Sequence, residues 1–250
     1  MTFFSSMRNS QLVNFVEHYL GVYTDKVCRI DYSTDNPFLN AFLGVKYLTS
    51  AGENRYYENI YMGRTSYYLN KENLPLAFVV SPDVYDTQLI KNDYLENYDK
   101  IMSDVSGLST GRFKTANLKT VNYKLIQEGN RELFRLQKTG YNKIMYYGKA
   151  AESGFLYFKN IKNFKKYDGK FYINGEQIDE SKMSSIMYVS KDEKWEIIFE
   201  AETTGEMPYE LNKSDIDVYF LNEKDYLQFA KTAQDNKMTI SQYEKDDYIK

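Results

Sequence analysis

Phe171-Tyr172-Ile173-Asn174-Gly175-Glu176-Gln177-Ile178 reads as a β-hairpin. Asn-Gly supplies two central residues that tolerate positive φ, which a tight two-residue turn of the correct twist requires. The flanking aromatic and branched residues favour strands. Such a hairpin makes the sheet around it antiparallel. Further short strand candidates flank it at 118–127, 132–138, 143–148 and 154–159 before it, and at 185–189, 195–200 and 215–220 after it. Short strands at regular spacing predict an antiparallel sandwich with a jelly-roll-like outline. A helix from Asn222 to Asp235 closes this region, with Asn222 as N-cap and Tyr226, Phe229 and Ala230 facing inward.

Upstream the pattern changes. Residues 9–20 carry Leu12, Phe15, Val16, Tyr19 and Leu20 on one helical face, and Gly21 can stop that helix. Asn36 and Pro37 suit the N-cap and first position of a short helix through Phe42, which Gly44 ends. Strands follow at 45–49, 56–61 and 66–69. The fully apolar run Leu76-Ala77-Phe78-Val79-Val80 predicts a strand buried on both faces. From Asp86 to Val105 apolar residues recur at helical spacing. Ser106-Gly107-Leu108-Ser109-Thr110-Gly111 then reads as a linker. The predicted fold is α+β: an α/β unit over 1–105, then a β-sandwich over 106–250 with one C-terminal helix.

With 250 residues, 42% of them hydrophobic and 27% charged, the chain is long and apolar enough to bury a substantial core. Net charge is −3 with the signs mixed along the chain, which argues against nucleic acid as a partner. The basic stretch Lys159 to Lys170 reads as a solvated turn face. A single cysteine, Cys28, allows no internal disulfide. No apolar run approaches the roughly 20 residues of a spanning helix, and the first six residues lack the basic and apolar regions of a signal peptide. Met1 is therefore read as an introduced start and Lys250 as an arbitrary end of a fragment. The 25 tyrosines and 15 phenylalanines, against one tryptophan, suit half-buried strands, and exposed tyrosines also stack on sugar rings.

Few residues suggest catalysis. His18, the one histidine, has no cysteine or second histidine near it in sequence, so no metal site and no cofactor is predicted. Phosphate-cradling loops and nucleophile elbows are absent. A hydrolase would need two carboxylates facing each other across a cleft, and Asp179-Glu180, Asp192-Glu193 and Glu200-Ala201-Glu202 read more simply as hydrated turns and strand ends. Tyr56-Tyr57-Glu58-Asn59 combines aromatic faces with a carboxylate and an amide, the groups that hold hydroxylated ligands, and strand packing is the alternative. Trp195 alternates with Ile197 and Phe199, which favours core packing, but as the single tryptophan it remains a candidate sugar platform.

Four segments occur in an order that resembles the YfhO-like family of multi-pass bacterial membrane proteins: Ser5-Ser6-Met7, Leu43-Gly44-Val45-Lys46-Tyr47, Tyr57-Glu58-Asn59 and Leu74-Pro75-Leu76-Ala77-Phe78. The match is most specific over residues 3–80, and Asp217-Val218-Tyr219-Phe220-Leu221 looks similar to the family's sandwich. The resemblance implies the extracytoplasmic part of a GT-C-type membrane glycosyltransferase. Such an enzyme uses a lipid-linked sugar and decorates cell-wall polymers such as teichoic acids of Gram-positive bacteria. The partners it implies are cell-wall polysaccharide or lipid-linked sugar and the protein's own transmembrane region. In that family catalysis is assigned to an acidic residue in an early loop between membrane helices. No matching loop is present, so no catalytic residue is carried over, and the isolated region is expected to be inactive. Lys46 joins Tyr56, Tyr57, Glu58, Asn59 and Trp195 as the candidate ligand contacts. A freestanding carbohydrate-binding module of a surface protein is the alternative.

Overall fold

The computed structural model describes residues 2–4, 10–21, 23–24, 29–31, 36–50, 54–75, 78, 80, 82–138, 140–158, 170–178, 186–203 and 210–236. The first part of the chain runs through β1 (Thr2–Phe4), α1 (Ser10–Tyr19), β2 (Tyr23–Thr24), β3 (Arg29–Asp31), α2 (Pro37–Phe42), β4 (Tyr47–Ser50), β5 (Glu58–Tyr61), β6 (Ser66–Leu69) and α3 (Tyr94–Ser106). It continues through β7 (Lys114–Thr115), β8 (Asn117–Val121), β9 (Tyr123–Glu128), β10 (Arg131–Leu136), β11 (Gly140–Lys149) and β12 (Gly154–Phe158). The remainder is β13 (Lys170–Ile173), β14 (Glu176–Gln177), β15 (Ile186–Val189), β16 (Lys194–Thr203), β17 (Glu210–Asn212), β18 (Val218–Asn222) and α4 (Glu223–Asp235), with 3-10 turns at Pro82–Asp86 and Lys213–Asp215.

The protein is α+β, and its described strands pair antiparallel. Two three-stranded sheets, β1-β3-β2 and β4-β6-β5, are interleaved with the helices of the N-terminal part. A five-stranded sheet, β14-β13-β16-β11-β8, and a four-stranded sheet, β15-β12-β18-β7, follow, with a smaller sheet β17-β10-β9 beside them. At the hairpin turn Asn174 has φ of 50° and Gly175 of 83°, the left-handed geometry that Asn-Gly supplies cheaply.

β12 explains how these layers stack. All five of its residues are buried. Successive side chains of a strand point to opposite faces, and here both faces are covered. Leu156 and Phe158 join Ile144, Tyr146, Ile197, Phe199 and Val218 in a core between the five- and four-stranded sheets. Phe155 and Tyr157 point the other way, into a second core with Phe38, Leu39, Tyr98, Met102, Tyr226 and Phe229. The four-stranded sheet is thus a middle layer, with a sheet on one side and helices on the other. Each large apolar side chain buried this way contributes about 1.5–3 kcal/mol.

The helical core joins residues far apart in sequence. The Phe38 ring lies 4.2 Å from Tyr98 and 5.6 Å from Phe229. The Tyr226 hydroxyl donates to the Pro37 carbonyl at 3.1 Å, and the Gln234 amide donates to the Lys71 carbonyl at 2.8 Å. As read from sequence, the Asn36 side chain caps α2, accepting from the Leu39 N–H at 3.1 Å with Pro37 in the first turn. Asn222 likewise caps α4, accepting from the Lys224 N–H at 2.8 Å.

Three expectations need correction. The helix expected from Asp86 starts at Tyr94, because Asn92 takes φ of 64° and the Asn97 amide clamps the preceding loop. Asn97 accepts from the Ile90 N–H at 2.7 Å and donates to the Ile90 and Tyr19 carbonyls, both at 2.8 Å. With Asn92 N–H on the His18 carbonyl and Tyr98 hydroxyl on the Leu20 carbonyl, these bonds satisfy the otherwise orphaned C-terminal carbonyls of α1. The strand expected over 118–127 is two strands. Asn122, at φ of 60°, turns the chain from β8, paired with β11, to β9, paired with β10. Within the run 76–80, Phe78 makes an isolated bridge and Val80 is irregular, both half-buried against the helical core. Leu76, Ala77 and Val79 lie outside the described residues, as do Cys28 and Lys159 to Lys166.

Candidate functional site

Among the described residues, the outer face of the five-stranded sheet carries the exposed side chains Asn117, Lys119, Tyr141 and Tyr147. β11 and β16 are its long central strands, ten residues each and paired along their whole length. Ile144, Tyr146, Ile197 and Phe199 point into the sandwich, so the alternate residues Tyr141, Lys143, Met145 and Tyr147 on β11, and Glu196, Ile198 and Glu200 on β16, point outward. Register arranges them in rows across the sheet. Asn117, Tyr147 and Glu196 form one row, and Lys119, Met145, Ile198 and Tyr172 the next.

At one end of this face a cleft of about 690 Å³ is lined by Asn117, Tyr147, Lys149, Asn174, Trp195 and Glu196, among others. Tyr147 is exposed. Trp195 is 7% exposed, because its indole covers the end of the sandwich core. The indole lies against the backbone of Gly148, its cross-strand partner, where a Cβ would come within 2.8 Å of Cζ2. Asn174 is fixed in place: its side chain accepts from the Glu196 N–H at 2.8 Å, and its own N–H donates to the Glu196 carbonyl at 2.9 Å. The hairpin turn read first in the sequence therefore forms a wall of this cleft.

Further along the face Lys143, Glu200 and Tyr141 form a charged cluster. The Lys143 ammonium is 3.4 Å from the Glu200 carboxylate and 4.9 Å from the centre of the Tyr141 ring. The hydrogen bond to Glu200 holds the Tyr141 hydroxyl above the usual phenol range, and the hydrogen bond to Tyr141 holds the Lys143 ammonium above its own. Aromatic surface flanked by amide, ammonium and carboxylate groups can stack on sugar rings and bind hydroxyls. Among the described residues no group of three or more histidine, cysteine, aspartate or glutamate side chains could hold a metal ion.

The residues singled out in sequence fall in several places. Trp195 lines the cleft. Tyr57 is buried in the helical core, and its hydroxyl accepts from the Asn40 side-chain amide at 2.7 Å. Tyr56 packs at the rim of that core, 4.7 Å from Phe155 and 5.3 Å from Tyr188. Among the described residues its buried hydroxyl finds no partner, and burial pushes it far above the phenol range. Both rings pack in the core, and neither reaches the cleft. Glu58 lies on exposed β5 in an ion pair with Lys71, and Asn59 is exposed beside it. Lys46 is exposed at the entry to β4, with its ammonium 5.5 Å from the centre of the Tyr47 ring. Tyr56 and Trp195 thus belong to different cores, although the Arg55 side chain reaches Glu193, two residues before Trp195, at 2.8 Å. Sequence reasoning missed Tyr147, Asn117 and Glu196. The period-2 pattern of 141, 143, 145 and 147 marked one face, but which face stays open depends on the second sheet.

A family profile described as "Bacterial membrane protein YfhO" matches residues 1–249. The chain belongs to the YfhO family. No helix among the described residues of this YfhO family member is long and apolar enough to cross a membrane. No curated protein matches the chain. Among solved structures it is similar to a family 35 carbohydrate-binding module from Clostridium thermocellum in its native form, at 8% identity, covering 44% of this chain and 96% of that one with a TM-score of 0.27.

Proposed function

We propose that this chain is the extracytoplasmic part of a membrane glycosyltransferase of the GT-C type. It holds an acceptor polymer of the cell wall, or the protein's own membrane region, in position for transfer of a sugar from a lipid carrier. The family membership supports the membrane setting. The observation that carries the binding role is the cleft formed by Tyr147, Trp195, Asn117, Asn174 and Glu196 at one end of the five-stranded sheet. The chain alone binds and does not transfer, since the acidic group expected to catalyse belongs to a loop between membrane helices. Teichoic acid of a Gram-positive wall is the polymer class this reading favours. A second reading, a freestanding carbohydrate-binding module, uses the same cleft without a catalytic partner.

The test is a fluorescence titration. Trp195 is the single tryptophan, so its emission reports on the cleft alone. Saturable change with teichoic-acid fragments, and none with unrelated polyanions, supports the first reading. A response to neutral oligosaccharides alone supports the second. No response to any glycan overturns the second reading and the acceptor-binding form of the first.

A further inference from the structure

The hairpin of β5 and β6 projects an apolar tip. Every residue of β5 is on the surface. Ile60 and Tyr61 are exposed, and Met62, at the turn, is 76% exposed. The neighbouring sheet face extends this patch. In the β4-β6 register Leu48 and Tyr68 are partners that point into the core, so Tyr47 and Tyr67, one residue away on each strand, stand on the outer face, where both are exposed. Tyr61 is the cross-strand partner of Tyr67, with ring centres 5.7 Å apart. Two cations border the patch: Lys46 beside Tyr47, and Arg64 in the exposed turn. Among the described residues no carboxylate pairs with either of them, and Glu58 is taken up by Lys71.

We infer that this hairpin anchors the domain on an anionic lipid surface. Met62 and Ile60 enter the boundary between headgroups and acyl chains, and the tyrosine rings lie at headgroup level with their hydroxyls in water, where amphipathic rings are favoured. Lys46 and Arg64 face the lipid phosphates. The family is one of membrane proteins, which puts a bilayer within reach of the domain. A glycan would use the tyrosine faces but gains nothing from a methionine projecting beyond them. A second copy docked patch to patch would bring Lys46 and Arg64 toward like charges. The inference rests on the family membership and on this hairpin, not on the cleft of β11 and β16, so either proposal can fail alone.

The experiment is co-sedimentation of the chain with vesicles of phosphatidylglycerol and phosphatidylcholine in equal parts, against vesicles of phosphatidylcholine alone. The expected result is binding to the anionic vesicles that weakens with salt and on the neutral ones. Arg64→Glu should weaken it by more than the about fivefold that one lost cation accounts for. The double variant Tyr61→Ser, Met62→Ser should reduce binding at least as much in low salt. These side chains are exposed, so the thermal midpoint should stay at the wild-type value, and a variant that unfolds is replaced by Tyr67→Ser. Absence of binding, or binding indifferent to the hairpin substitutions, overturns the inference. So does a dimer in sedimentation equilibrium that the same substitutions dissolve, since that would make a second copy the occupant.

Discussion

Gly148 and Trp195 are directly opposed across β11 and β16, and the indole fills the space where a side chain at 148 would stand, 2.8 Å from the position of a Cβ. The lack of a side chain at one residue lets the other close the end of the sandwich core and line the cleft at the same time.

Gly148→Ala therefore acts through Trp195. The rigid ring must shift, and overpacking of this kind costs about 1–3 kcal/mol. Chemical denaturation should show that loss, and the emission maximum of the single tryptophan should move to the red as the indole gains water. Unchanged emission would mean that the indole accommodates the methyl group without moving.

Tyr147 is exposed at one wall of the cleft and takes no part in the core. Tyr147→Ala should leave stability within about 0.5 kcal/mol of the wild type. It should lower glycan affinity about tenfold, the equivalent of one aromatic contact of about 1.4 kcal/mol. Titration calorimetry with an unfolding curve separates the two effects, and equal loss of both would make Tyr147 a scaffold residue.

Asp99 and Arg112 form a buried ion pair at 3.1 Å where α3 gives way to the sheets. The Asp99 carboxylate also accepts from the N–H groups of Gly111 and Arg112, and this pins the segment after Gly107, whose φ of 68° ends the helix. Asp99→Ala should cost about 3–5 kcal/mol, because it strands a buried guanidinium. Replacing both residues with apolar ones of similar volume should recover much of that loss in the same denaturation assay.

Glu72 should give the protein a distinctive pH response. Burial, reinforced by the neighbouring Glu223 carboxylate, raises its carboxyl above the ordinary value. The folded state then holds its proton more tightly than the unfolded state. Its contribution to stability is fully present below the unfolded value and is lost as pH rises through the folded one. Glu72→Gln should match the wild type in acid and exceed it near neutrality. Subtracting the two stability curves over about pH 4–8 isolates this group from Glu193, which its hydrogen bond to Arg55 shifts downward and which acts with the opposite sign. A difference that does not change with pH would contradict the burial of Glu72.

Local chemistry was readable from the chain. Asn36-Pro37, Asn222 and Asn174-Gly175 each contain the capping group, fixed φ or left-handed tolerance that their position needs, within three residues of where they act. The resemblance carried by Leu43 to Tyr47 and Tyr57 to Asn59 likewise required only order and spacing. Where sequence failed, distant partners had decided the outcome. Leu89 and Ile90 fit a helical repeat, but Asn97 and the end of α1 hold them in a loop. For Tyr56 and Tyr57 the sequence left ligand contact and packing as alternatives, and only the tertiary structure shows Phe155, Tyr188 and Asn40 packed around them.

By itself the sequence determined the turns, the caps, the antiparallel α+β class and the family, because each depends on residues that are neighbours along the chain. The tertiary structure alone decided that β12 is buried on both faces, that Tyr147 stands exposed on the outer face of its sheet, and that Trp195 meets Gly148. These depend on which layer covers which face, and that coverage is set by apolar side chains brought together from positions as far apart as Phe38 and Phe229.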